Sequence, residues 1–226
     1  MNNILIGVIV VIAIAVLVMA ISATGSKNTS SVLFSISDTP ATLSSVSSVY
    51  VTVQEVSMHS ATTGQWYNFS AAGKGAYNLV ALKNISAFVA NAQVSAGNYD
   101  EIVLVISSSN ATVNGTVKNV ILPSGKLKIF GNFNISNKTT NWVNMDFNVN
   151  QSLHATGNGE IILLPVIQTR FMQGSDVTVE ANDTIIVSSR GNTSLEVNDG
   201  MDANGTMRSN FVVPANANII INTHIG

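Results

Sequence analysis

The chain has 226 residues, 46% of them hydrophobic, while 10 basic and 12 acidic residues make only 10% charged. A net charge of −2 leaves no basic face for a nucleic-acid backbone, and high hydrophobicity at low charge excludes a disordered chain. The lack of cysteine excludes thiol catalysis, Cys-ligated zinc, disulfide staples and a lipid-modified N-terminal cysteine.

Ile4 to Ile21 form 18 consecutive uncharged, apolar positions, Gly7 included. At 1.5 Å per residue they reach about 27 Å, enough for a thin bilayer. They predict an N-terminal hydrophobic helix, with residues 1–23 either a cleaved signal peptide or a retained membrane anchor. Small-residue cleavage sites end at Ala20 and Ala23. Either reading places everything after Ala23 outside the membrane. Residues 24–31 read as a polar linker.

From Val32 onward the text is strand-like. Val32, Phe34 and Ile36 alternate with Leu33, Ser35 and Ser37, the period of two expected of a strand. Val49, Val51 and Val53 share one face, and Val56 and Met58 resume out of phase. That slip predicts a β-bulge around Gln54-Glu55. Residues 76–83 and 85–92 are the only candidates for short helical turns. Ile102, Leu104 and Ile106 alternate with Val103 and Val105, which predicts a strand buried on both sides. Asn114-Gly115 then separates two apolar runs and predicts a tight hairpin, because both residues tolerate positive φ. Further strands are expected over 126–130, 142–149, 161–166, 177–179, 185–188, 211–213 and 219–222. The pattern predicts an all-β chain, an antiparallel β-sandwich (immunoglobulin-like or similar) over residues 32–172. A boundary near Gln173-Gly174-Ser175 sets off residues 173–226 as a C-terminal β segment, either a second small domain or an extension of the first sheet.

Eleven Asn-x-Ser/Thr sequons begin at Asn28, Asn68, Asn84, Asn110, Asn114, Asn134, Asn137, Asn150, Asn182, Asn192 and Asn204. A composition rich in Asn, Ser and Thr generates about five or six by chance for a motif of this kind. The excess, with Asn114 and Asn204 in Asn-Gly turns, predicts N-linked glycans, which would hydrate a surface poor in charge.

Catalytic patterns are missing. His59, His154 and His224 are scattered, no G-x-S-x-G elbow presents a serine, and no glycine-rich phosphate loop occurs. Asp199, Asp202 and Asn204 resemble part of a calcium loop, yet the spacing puts a glycine at the first ligand position and no Glu closes the loop, so a solvated turn is the better reading. Trp66, Tyr67 and Phe69 offer either a sugar-stacking platform or ordinary core aromatics beside the Thr63-Gly64 turn. No enzyme activity, cofactor or metal is expected.

Several pieces in order carry a resemblance: Ser37-Asp38-Thr39-Pro40, Val51 to Met58, Gly64-Gln65-Trp66, Asn78-Leu79 and Ala96-Gly97-Asn98-Tyr99. Ile102 to Leu104, Leu122-Pro123-Ser124-Gly125 before Leu127-Lys128-Ile129, Met145-Asp146-Phe147 and Leu164-Pro165-Val166-Ile167 complete the set. Over residues 32–171 the chain resembles a family of uncharacterised archaeal and bacterial surface domains, catalogued as a domain of unknown function. The resemblance implies an extracellular β-sandwich and brings no catalytic residues. Asn78 departs from the family pattern, where an acidic residue is common. In general character the chain is also similar to the subunits of archaeal thread filaments, which assemble by donating a strand from one subunit to the next.

The expected function is therefore that of a structural cell-surface glycoprotein polymerising with copies of itself. Val32, Phe34 and Ile36 are the candidate donor strand, since alternate apolar side chains can fill the pockets of an incomplete sheet. The alternative is a membrane-anchored β-sandwich that binds sugar or a partner protein.

Overall fold

The computed structural model describes residues 29–39, 43–72 and 75–211. In chain order the strands are β1 (Thr29–Asp38), β2 (Val46–Ser60), β3 (Trp66–Ser70), β4 (Ala76–Asn78), β5 (Ala87–Ser95), β6 (Gly97–Val113), β7 (Thr116–Ile121) and β8 (Lys126–Ile135). They continue with β9 (Thr140–Phe147), β10 (Leu153–Ala155), β11 (Ile161–Leu163), β12 (Val166–Gln173), β13 (Asp176–Val179), β14 (Ile185–Ser189), β15 (Asn192–Met201) and β16 (Met207–Ser209). A 3₁₀ turn (Leu79–Leu82) and one turn of helix, α1 (Val149–Ser152), are the helical elements among the described residues.

One sheet runs β16-β15-β12-β9-β1-β5, and a second runs β10-β11-β7-β6-β2-β3 with β4 beside β2 and β8 beside β6. β13 and β14 form a separate hairpin. The two large sheets share one apolar core, to which β1 contributes Val32, Phe34 and Ile36, β2 contributes Val49, Val51 and Val53, and β6 contributes Ile102 and Leu104. Phe133 of β8 meets Phe171 of β12 edge-on at 5.7 Å, joining the layers by the ring arrangement that aromatic quadrupoles favour.

The chain is all-β, as its alternation predicts, but the sheets are mixed rather than purely antiparallel. β1 runs parallel to β9, and β11 parallel to β7. The expected helical turns hold only at Leu79–Leu82, while residues 87–95, inside and beyond the second candidate, form β5. Its alanines favour helix in isolation, but pairing with β1 buries Val89, Ala90, Ala92 and Val94, and burial overrides propensity. The β2 bulge falls where the slip predicts, with the register shifting between Thr52 and Glu55. Asn114 (φ 49°) and Gly115 (φ 76°) make the expected hairpin turn. The N-terminal hydrophobic helix, the cleavage sites, Asn28 and the strand at 219–222 lie outside the described residues. Phe211 belongs to no strand, and the remainder of the expected 211–213 strand also lies outside them.

β15 and β16 hydrogen-bond into the same sheet as β1, whereas the β13–β14 hairpin covers part of that sheet's outer face. Gly191 makes the turn into β15 at φ +64°, and a Cβ there would collide with the Gln173 backbone carbonyl. Gly191→Ala combines left-handed strain with a backbone clash and should cost about 2–4 kcal/mol. Chemical denaturation checks this, and an unchanged midpoint would contradict the fold around that turn.

Candidate functional site

The candidate donor strand is an interior strand of its own sheet, one in from the β5 edge. β1 is paired with β5 on one side and β9 on the other, over eight residue pairs each. Val32, Phe34 and Ile36 face inward and are wholly buried. Asp38 ends the strand, also buried, with Oδ1 accepting the Val149 N–H at 3.1 Å and Oδ2 unpartnered. Burial pushes its carboxyl up to about 7, opposed by that hydrogen bond and reinforced by the charge of Asp146.

The opposite face of β1 builds a polar cleft. Strand alternation sends Leu33, Ser35 and Ser37 outward, beside Trp142, Asn144 and Asp146 of the parallel β9. At one end Leu33, Trp142 and Met172 are covered by Ile185 and the valines of the β13–β14 hairpin. At the other end the face opens into a cavity of about 260 Å³ lined by Ser37, Trp142, Asn144, Asp146, Arg170 and Arg190, among others.

An oriented hydrogen-bond chain crosses this cleft. The Trp142 indole donates to Ser35 Oγ (2.7 Å), which donates to Asn144 Oδ1 (2.8 Å). The Asn144 amide donates to Ser37 Oγ (3.0 Å), and Ser37 donates to Asp146 Oδ1 (2.9 Å). Thr39 donates to the other Asp146 oxygen at 2.9 Å. Every polar group in this run from Trp142 to Asp146 has a partner, so the cleft floor carries no unsatisfied side chain. Arg170 is tied to Glu196 (3.3 Å), while Arg190 makes no ion pair among the described residues. Such a lining suits a small polar or anionic ligand held between guanidinium donors and a carboxylate acceptor.

The outer face of the other large sheet carries a second depression, of about 280 Å³, lined by Glu55, Ser57, Trp66, Asn68, Val103, Val105, Lys126 and Lys128. Strand alternation divides the three aromatics between the two alternatives, platform and core. Trp66 points outward, 46% exposed, whereas Tyr67 and Phe69 turn in against the core. Trp66 leans on His59 at 4.9 Å between ring centroids, and His59 Nδ1 meets Asp100 at 2.6 Å. His154 lies on β10, where burial lowers its pKa, and His224 is outside the described residues.

Among the sequons, Asn68, Asn84, Asn114, Asn134, Asn137, Asn182, Asn192 and Asn204 are exposed, and Asn110 and Asn150 are half-buried. Among the described residues the buried asparagines, Asn141 and Asn144, stand outside sequons. Asn114 and Asn84 adopt positive φ, and Asn182 accepts the Thr184 N–H in a local Asx turn. In the Asp199–Gly205 segment the carboxylates serve the protein. Asp202 accepts the Asn204 and Thr206 N–H groups and the Arg208 guanidinium, which hold its carboxyl below the usual value. Asp199 is wholly buried on β15.

Sequence reasoning did not single out the cleft residues Ser37, Asn144, Asp146, Arg170 and Arg190. The available signal was the pair of family-like segments Ser37-Asp38-Thr39 and Met145-Asp146-Phe147, which the fold brings together across β1 and β9. A family model described as a domain of unknown function (DUF4382) matches residues 29–165. No curated protein and no solved structure matches the chain.

Proposed function

We propose, from the premise that the chain belongs to the DUF4382 family through residues 29–165, that the protein is a structural glycoprotein of the cell surface whose subunits join by exchanging β1. The position of that strand carries the reading. β1 is the first described element; it takes in residues 29–31 of the expected linker and is preceded in sequence by polar residues 24–28 and the apolar run Ile4 to Ile21. It slots between β5 and β9 of its own chain, and the β1 of a second copy would make the same two ladders. Without it, two strand edges and the inward row of Phe147, Met145 and Val143 would stand open. A second copy's β1 satisfies both.

Negative-stain images of surface preparations test the assembly, since filaments support exchange and isolated particles at every concentration oppose it. The glycoprotein part is tested by native mass. Several kilodaltons of heterogeneous glycan are expected, with the exposed turn residue Asn114 occupied. Asn110, paired on both sides within β6, should stay bare. A mass equal to the bare polypeptide would remove the glycoprotein reading.

The alternative is an anchored monomer that binds a ligand. It is favoured by one observation: a single chain closes its own sheet with β1 and presents the Arg170–Arg190–Asp146 cleft beside it.

A further inference from the structure

Trp66 and Asn68 sit two residues apart on β3 and therefore project from the same face, their Cβ atoms about 7 Å apart. Both are exposed, and both line the depression on the outer face of the β2–β3–β6–β8 sheet. The indole is backed on one side by His59 and open on the other, a large apolar surface left to water. Among the described residues the Asn68 amide has no hydrogen-bond partner that would hold it away from modification. Among the described residues β3 pairs only with β2, and Asn68 on its outward face is exposed to a transferring enzyme. Its floor is made by Ser57 and Glu55 of β2, which neighbours β3, and by Val103 and Val105 of β6, with Lys126 and Lys128 of β8 along the far side. A shallow trough with an aromatic wall and a floor of both apolar and hydrogen-bonding groups is complementary to a pyranose ring, which has apolar C–H faces and a polar rim.

We propose that Asn68 carries a saccharide whose first ring lies in this depression, one C–H face against Trp66 and its hydroxyls directed at Ser57 and Glu55 of the adjacent β2. The proposal rests on the glycoprotein reading above and adds to it a docked, ordered glycan at one named site. Covering Trp66 removes an exposed aromatic from water, and a sugar rooted on the edge strand blocks edge-to-edge pairing with other sheets. That block falls on the sheet opposite β1, so it would confine subunit contact to the β1 slot.

The chain has two tryptophans, and Trp142 is only 5% exposed. Acrylamide quenching of the full chain purified from its glycosylating host therefore reads Trp66 almost alone. Glycopeptide mass spectrometry should find Asn68 occupied, and Asn68→Gln should raise the quenching constant by about twofold or more as the indole is uncovered. In melting experiments Trp66→Ala should lower Tm in the glycosylated protein but not in the Asn68→Gln background, the non-additivity expected of groups in contact. Asn68 occupied with unchanged quenching and additive melting shifts would overturn the docking. Asn68 bare while other sequons are occupied would also overturn it, leaving the glycoprotein reading intact. No glycan on any sequon would overturn both.

Discussion

Replacing Phe34 with aspartate is expected to leave the chain unfolded in thermal melts and circular dichroism. Phe34 is wholly buried at the centre of β1, between the Ala90 and Val143 rungs. Truncating a core phenylalanine costs about 3–5 kcal/mol, and burying an unpaired carboxylate adds several more. The sum matches the entire stability of an ordinary domain, about 5–15 kcal/mol. The informative step follows. In the Phe34→Asp chain the receiving slot between β5 and β9 is chemically intact, so a peptide of residues 24–38 should refold it and bind one to one. Its two ladders and its anchors Val32, Phe34 and Ile36 replace what the mutant strand cannot supply. The same peptide with Phe34→Asp should fail. Rescue would show that β1 works when supplied by a separate chain, as exchange requires. Failure of the wild-type peptide under conditions where the intact protein is stable would mean that β1 folds only within its own chain, and the anchored monomer would replace the filament.

Local patterning carried the parts of the fold that local chemistry controls. The β2 bulge was visible because a one-residue slip moves Val56 and Met58 out of phase, and both nevertheless end up buried. The Asn114-Gly115 hairpin was visible because positive φ has few hosts. The parallel pairing of β1 with β9 was not visible, since Ser31 and Thr140 are joined by no turn whose chemistry could announce it. β15 escaped notice for a different reason. Its inward positions Leu195, Val197, Asp199 and Met201 include a buried acid, which breaks the apolar alternation that identifies a strand. The cleft was hidden by the same non-locality. Ser37, Asp146 and Arg170 each read as ordinary surface residues, and only the β1–β9–β12 order places them side by side. Sequons, by contrast, are local motifs and could be read directly, although their exposure required the fold.

Asp199 and Asp38 set the second large effect, an inverted dependence of stability on pH. Each is buried with one carboxylate oxygen satisfied by a backbone N–H, from Phe130 and Val149 respectively, and the other oxygen unpartnered. Burial raises both carboxyls from 3.8 to about 7. Between these values the native state holds protons that the unfolded chain has released, so stability is full below about pH 4 and is lost as pH rises through 7. At 1.36 kcal/mol per unit the loss is at most about 4 kcal/mol for each group. Two groups act in the other direction. Asp202, held down by its backbone donors and Arg208, loses its stabilising bonds in acid, and His154, lowered by burial, resists protonation below its unfolded value of 6.5. Comparison with variants cancels both contributions. Asp199→Asn preserves an acceptor for the Phe130 N–H and removes the charge, so its Tm should exceed that of the parent at pH 8 and approach it at pH 5. Asp38→Asn should behave alike, with a smaller gain if Asp146 is neutralised as well, because that neighbour's charge contributes to the Asp38 shift. Parallel pH profiles for parent and Asp199→Asn would mean that this carboxylate is ionised and compensated inside the sheet, and a positive partner would then have to be found beside β15.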